Sequence, residues 1–95
     1  MPPSRGNAVN KDDAEAIALQ ALAYLAADTQ RLSRFLALTG SDLGELRETA
    51  KMPEFQASIL EYMMGDESLL LAFCQEAGFD PAIIAPAYGL ISRSP

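Results

Sequence analysis

Histidine, cysteine and clustered carboxylates carry most acid–base, nucleophilic and metal chemistry, and this chain offers little of it. It has no histidine. That removes the commonest general base, the usual serine and cysteine triads, and most zinc and haem sites. A single cysteine, Cys74, leaves no basis for cysteine-rich metal or iron–sulfur sites. As a nucleophile Cys74 would need a cationic neighbour or a helix N-terminus to lower its pKa. Set among Leu70, Phe73 and Ala77 at helical spacing, it reads as a small buried hydrophobe.

The carboxylates have simpler roles. Asp12, Asp13 and Glu15 fall in a first helical turn, as does the pair Asp66 and Glu67, and acids there compensate the helix dipole. Neither set has the spacing of a calcium loop. Gly40-Ser41-Asp42-Leu43-Gly44 has two glycines, but it carries an acid and lacks the lysine of a phosphate loop. The expectation is therefore no catalytic residue, no metal and no cofactor. Arg31, Arg34, Arg47 and Lys51 are the candidates for a basic patch on the second and third helices. A helix–turn–helix would need cations and amides on its recognition helix. The third helix would instead present Asp42, Glu45 and Glu48 beside Arg47 and Lys51, so nucleic acid is the secondary reading.

These side chains must be positioned by helices. Asn10, with Asp13 three residues on, predicts an N-cap and a first helix over about 11–27, with Ile17, Ala18, Ala21, Leu22 and Leu25 on one stripe. Asp28 caps a second helix over about 29–38, which buries Leu32, Phe35 and Leu36 and stops at Gly40. Asp42, with Glu45 in capping-box spacing, opens a third whose Leu43, Leu46 and Ala50 face inward. Met52-Pro53 marks a boundary. A fourth helix over about 53–64 buries Phe55, Ile59, Leu60 and Met63; Asp66 caps a fifth over about 67–77, which Gly78 closes. Asp80-Pro81 opens a sixth, which Pro86 should kink or end early. No segment alternates with period two, so the fold class is all-α: a compact bundle of about six short helices.

A shift of 38 residues lays the second half on the first without a gap. Asp28, Gly40 and Asp42 fall on Asp66, Gly78 and Asp80; Leu22, Tyr24, Leu32 and Phe35 fall on Leu60, Tyr62, Leu70 and Phe73. Recurring caps are expected of any run of short helices, whereas apolar and aromatic matches in the same register point to an internal repeat, 17–50 against 55–88. Two pseudo-symmetric three-helix units follow. The mismatches are informative too. Arg31, Ser33 and Arg34 correspond to Leu69, Leu71 and Ala72. A helix apolar on nearly every side is buried on most of them, so the fifth helix is expected at the centre of the domain. Otherwise Leu69, Leu71 and Ala72 are the surface that meets a partner. Tyr24 and Tyr62 read as packing at equivalent joints.

Composition bounds the rest. Residues 10–91 make one helical domain between flexible tails at 1–9 and 92–95. Thirteen acids against seven cations give a net charge of −6, which disfavours nucleic acid and repels anionic membranes. The apolar stretch from Ala16 to Ala27 is too short to span a bilayer and follows acids rather than the basic start of a signal peptide. A cytoplasmic location is the expectation.

Arg34-Phe35-Leu36-Ala37-Leu38-Thr39-Gly40, followed by Leu43 and Leu46-Arg47, has a familiar order. So has Gly65-Asp66-Glu67-Ser68-Leu69-Leu70-Leu71-Ala72-Phe73 with Asp80-Pro81. With the alanine-rich first helix, the chain from about Ala14 to Leu90 resembles a family of small, mainly alphaproteobacterial proteins, domain of unknown function 3572. The resemblance implies a stand-alone helical protein of a bacterial cytoplasm and brings no activity, cofactor or site residues. The functional expectation is thus a non-enzymatic protein–protein interaction module, binding an unidentified protein or a second copy. The alternative is a small nucleic-acid-binding regulator that uses Arg31, Arg34, Arg47 and Lys51.

Overall fold

Short polar caps open the first, second and fifth helices and both 3₁₀ turns. The computed structural model describes residues 9–93; of the tails expected at 1–9 and 92–95, residues 1–8 and 94–95 lie outside the described residues, whereas Val9 packs half-buried against the core and Ser92 still belongs to the last helix. Asn10 accepts from the Asp13 amide at 2.7 Å, Asp13 accepts in return from the Asn10 amide at 3.2 Å, and this capping box opens α1, Lys11–Ala26. Asp28 caps α2, Thr29–Thr39, and Asp66 caps α5, Glu67–Ala77. Both helices stop at a glycine in the left-handed region, Gly40 at φ 69° and Gly78 at φ 80°. Between them, α4 spans Pro53–Met64 with proline in its first turn. Every boundary of α2 therefore recurs 38 residues later in α5.

The third helices depart from expectation. Asp42 accepts from the Gly44 amide at 3.1 Å, and no capping box forms with Glu45. The chain makes a 3₁₀ turn, Leu43–Glu45, before the single turn of α3, Leu46–Thr49. Leu43 does not face inward: it is 61% exposed, and Leu46 and Ala50 are only half-buried. The counterpart after Asp80 is a 3₁₀ turn, Pro81–Ile83, followed by α6, Ile84–Ser92. Pro86 neither ends nor shortens α6. The preceding 3₁₀ turn delays the α-helix to Ile84, so Pro86 falls in its first turn, where an amide would have no intrahelical partner.

One side chain accounts for this difference. After Gly78, Phe79 turns back onto Phe73, ring centroids 5.9 Å apart, which supplies the apolar contact that accompanies such helix ends. The equivalent residue after Gly40 is Ser41, whose hydroxyl pairs with that of Thr39 at 2.9 Å. The second unit is thereby pinned, and Ile83, Ile84, Ala87 and Ile91 enter the core. The first is not, and no residue of its 3₁₀ turn or α3 is buried.

The core is the seam of α1, α4 and α6, which pack mutually. Ile17, Leu25, Ile59, Leu60, Met63, Ile84 and Ile91 fill it, each essentially inaccessible to water. Helices α2 and α5 lie outside this trio. Each sends in one phenylalanine, Phe35 or Phe73, both fully buried. The expectation that the fifth helix is central is thus overturned: α5 is peripheral, Leu71 is 46% exposed, and only Phe73 and Cys74 of its residues are buried. In the second helix Phe35 is buried, while Leu32 and Leu36 are only half-buried. Gln56, the buried polar side chain, donates to the Ala50 carbonyl at 3.0 Å and ties the connection after α3 to α4. The Cα radius of gyration, 12.5 Å, is that of a compact chain of this length, about 12 Å.

Candidate functional site

Arg31 and Arg34 stand three residues apart on α2, and Leu69 and Ala72 stand three apart on α5, so each pair shares one helix face. The structure brings the two faces together. All four residues line a groove of about 330 Å³ between the N-terminal halves of these helices, open to solvent, with Tyr62 of α4 against it. Asp28 and Asp66 stand at its edges, but each is engaged in capping. Asp28 accepts from the Gln30 amide at 2.9 Å and the Arg31 amide at 3.2 Å; Asp66 accepts from the Leu69 amide at 3.2 Å. The Arg31 guanidinium lies over the Tyr24 ring, 4.9 Å from its centroid, a cation–π contact that holds it in place. Arg34 forms no ion pair with any described residue.

The sequence candidates are thus regrouped. Leu69 and Ala72 do share a surface, but Leu71 points elsewhere and does not line the groove. The basic patch divides: Arg31 and Arg34 line the groove, whereas Arg47 and Lys51, both exposed, belong to α3 and the turn after it. Sequence reasoning treated the apolar set and the basic set as rivals; in space they are two walls of one site. The signal that could have joined them was present, because Arg31 and Leu69, and Arg34 and Ala72, are equivalent positions under the 38-residue shift.

Two shallower depressions flank the core. One, of about 290 Å³, runs between α1 and α5 over Tyr24 and Phe73; the other, of about 320 Å³, lies over Phe55 between Thr49 and Ser58. Tyr24 and Tyr62 occupy equivalent joints, half-buried, with their rings against Phe73 and Phe35. Cys74 is buried, and burial first, then the Asp80 carboxylate, pushes its thiol above the ordinary value. The thiolate is disfavoured there, so this is not a nucleophile's environment. Among the described residues no three potential ligands from Cys, Asp and Glu come together to hold a metal ion. Nor is any single described helix long and apolar enough to cross a membrane.

A family model described as "Protein of unknown function (DUF3572)" matches residues 11–93, the whole helical bundle. The chain belongs to this family. No curated protein and no solved structure matches it. The DUF3572 match therefore fixes kinship across all six helices and leaves the groove's chemistry to be read from its own residues. Two guanidinium groups stand on one wall and a Leu–Ala step on the other, with the Asp28 and Asp66 carboxylates at the edges.

Proposed function

We propose that this DUF3572 protein is a non-enzymatic binding module of the bacterial cytoplasm, acting by contact with another protein through the groove between α2 and α5. One observation carries the reading: an exposed Ala72 and a half-buried Leu69 face Arg31 and Arg34 across a groove open to solvent. An apolar step with adjacent arginine is the composition of an interface anchor, since such contacts are enriched where partners desolvate each other.

Photo-crosslinking in the native cell tests it. A photoreactive residue in place of Ala72 should give a discrete adduct, identified by mass spectrometry, that the same residue in place of Glu48 does not give. Equal labelling from both positions counts against the groove. Light scattering on the purified chain separates a foreign partner from a second copy. The nucleic-acid alternative has less support, because Arg47 and Lys51 do not extend the groove and two aspartates stand at its edges.

A further inference from the structure

A polar atom sealed inside a protein without a partner marks a place where the closed arrangement is costly. Gln56, near the start of α4, is 3% exposed. Its Nε2 donates to the Ala50 carbonyl at 3.0 Å, while its Oε1 is shut off from water and accepts from no described residue. An oxygen left in this way forfeits its hydration, a cost as large as the net gain from the bond its own amide group makes. One side chain therefore both fastens the closed arrangement and opposes it.

The chain that covers Gln56 is the most weakly held part of the bundle. Phe55, Gln56 and Ala57 are buried in succession, which on a helix needs cover from more than one direction. Helices α1 and α6 pack along α4, and Phe35 of α2 meets Phe55 edge to face with ring centroids 5.6 Å apart. At Gln56 the contact comes from Ala50, in the segment that joins α2 to α4. No residue of 41–52 is buried, and Leu43 and Met52 are exposed. The backbone bonds of its last turn close within the segment, Ala50 to Leu46, Lys51 to Glu48 and Met52 to Thr49. Its two ends are points where the chain direction changes: Gly40 in the left-handed region, and the step from extended Met52 to Pro53. A unit that bonds to itself, buries little and is bounded by two such points opens with few contacts broken.

We infer that residues 41–52 form a hinged strap that swings from the bundle as one unit, turning at Gly40 and at Met52-Pro53, with the Gln56–Ala50 bond as its latch. Opening breaks that bond, hydrates both ends of the Gln56 side-chain amide and leaves the seam of α1, α4 and α6 closed. The strap stands apart from the groove between α2 and α5.

Native-state hydrogen exchange, followed by NMR on the isotope-labelled full chain, tests it. The side-chain amide protons of Gln56 and the backbone amides of Leu46, Ala50, Lys51 and Met52 should share one opening equilibrium with a shallow urea dependence. The amides of Ile59 and Leu60 should exchange only at global unfolding. Ser41→Phe, which supplies the anchor that Phe79 gives the other half, should slow the Gln56 protons and the strap amides together. The expected change is about three- to tenfold, the scale of one aromatic pair. If the Gln56 protons exchange only with Ile59 and Leu60, the latch is overturned even where α3 frays. Strap amides that open at unrelated rates overturn the single unit. A Ser41→Phe protein in which α3 slows and Gln56 does not overturns the link between them.

Discussion

Phe35 of α2 and Tyr62 of α4 meet edge to face, ring centroids 5.1 Å apart and planes at 71°. The residues 38 positions from each are also in contact, with the halves exchanged: Tyr24 of α1 meets Phe73 of α5 at 5.6 Å. Each half of the chain thus completes its aromatic packing with a residue of the other half. Neither three-helix segment closes a core alone, which is why the domain should unfold as one unit.

Double-mutant cycles measure that crossing. Tyr24→Leu and Phe73→Leu, singly and together, should show a coupling energy of about 0.5–1.5 kcal/mol in urea denaturation, as should Phe35→Leu with Tyr62→Leu. Leucine is preferred to alanine because truncating a buried Phe to Ala costs about 3–5 kcal/mol, a large share of the stability of a domain this size. Additive single effects would show that the two halves are merely adjacent.

The glycines separate by backbone angle. Gly40 and Gly78 have positive φ, and a Cβ at either would meet nothing within 4 Å, so alanine costs only the left-handed backbone, about 1–2 kcal/mol at each. Gly65 sits at φ −79°, with a Cβ meeting backbone oxygens at an ordinary 3.6 Å. Gly65→Ala should instead raise stability by about 0.4–1 kcal/mol. Denaturation midpoints of the three variants check the signs.

Cys74 gives a pH dependence. Its thiol is raised in the folded protein, by burial first and the Asp80 carboxylate second, so the unfolded chain loses this proton at lower pH than the folded one does. The resulting stability is complete below the ordinary thiol value and is lost as pH climbs through the raised one. The alkaline slope of unfolding free energy should therefore be shallower in Cys74→Ala than in the parent. At neutral pH a thiol reagent should label Cys74 only after denaturation.

Hydrogen exchange should separate the two third helices. Amides of α3 should exchange by local opening at denaturant levels where those of α6 remain protected, since no residue of α3 is buried and four residues of the α6 unit are. Ser41→Phe, which supplies the contact that Phe79 makes in the other half, should slow exchange in α3.

Local chemistry made the helix plan legible. Asn10, Asp28 and Asp66 are caps whichever way the helices pack, Gly40 and Gly78 suit left-handed ends, and Pro53 fixes a start; hence α4 and α5 have the boundaries that their sequences dictate. Position in the bundle was harder to read. Leu69, Leu71 and Ala72 look like core because an apolar side chain does not announce whether a neighbour is available, and here α1, α4 and α6 had already filled the centre. Asp42 and Glu45 have the spacing of a capping box, yet the small difference between Ser41 and Phe79 left that segment without an anchor. The groove was half-visible: its residues were singled out, but their meeting depends on how α2 and α5 approach, which no local pattern encodes.

The two walls of the groove are related by the 38-residue shift: they keep an aspartate at 28 and 66 and differ beyond it, with arginines at 31 and 34 against leucine and alanine at 69 and 72. Two basic walls would repel one another and two apolar walls would invite indiscriminate sticking. Across the lineage, charge on one wall and its loss on the other should be inherited as a linked trait, with reversals on one side matched by compensation opposite.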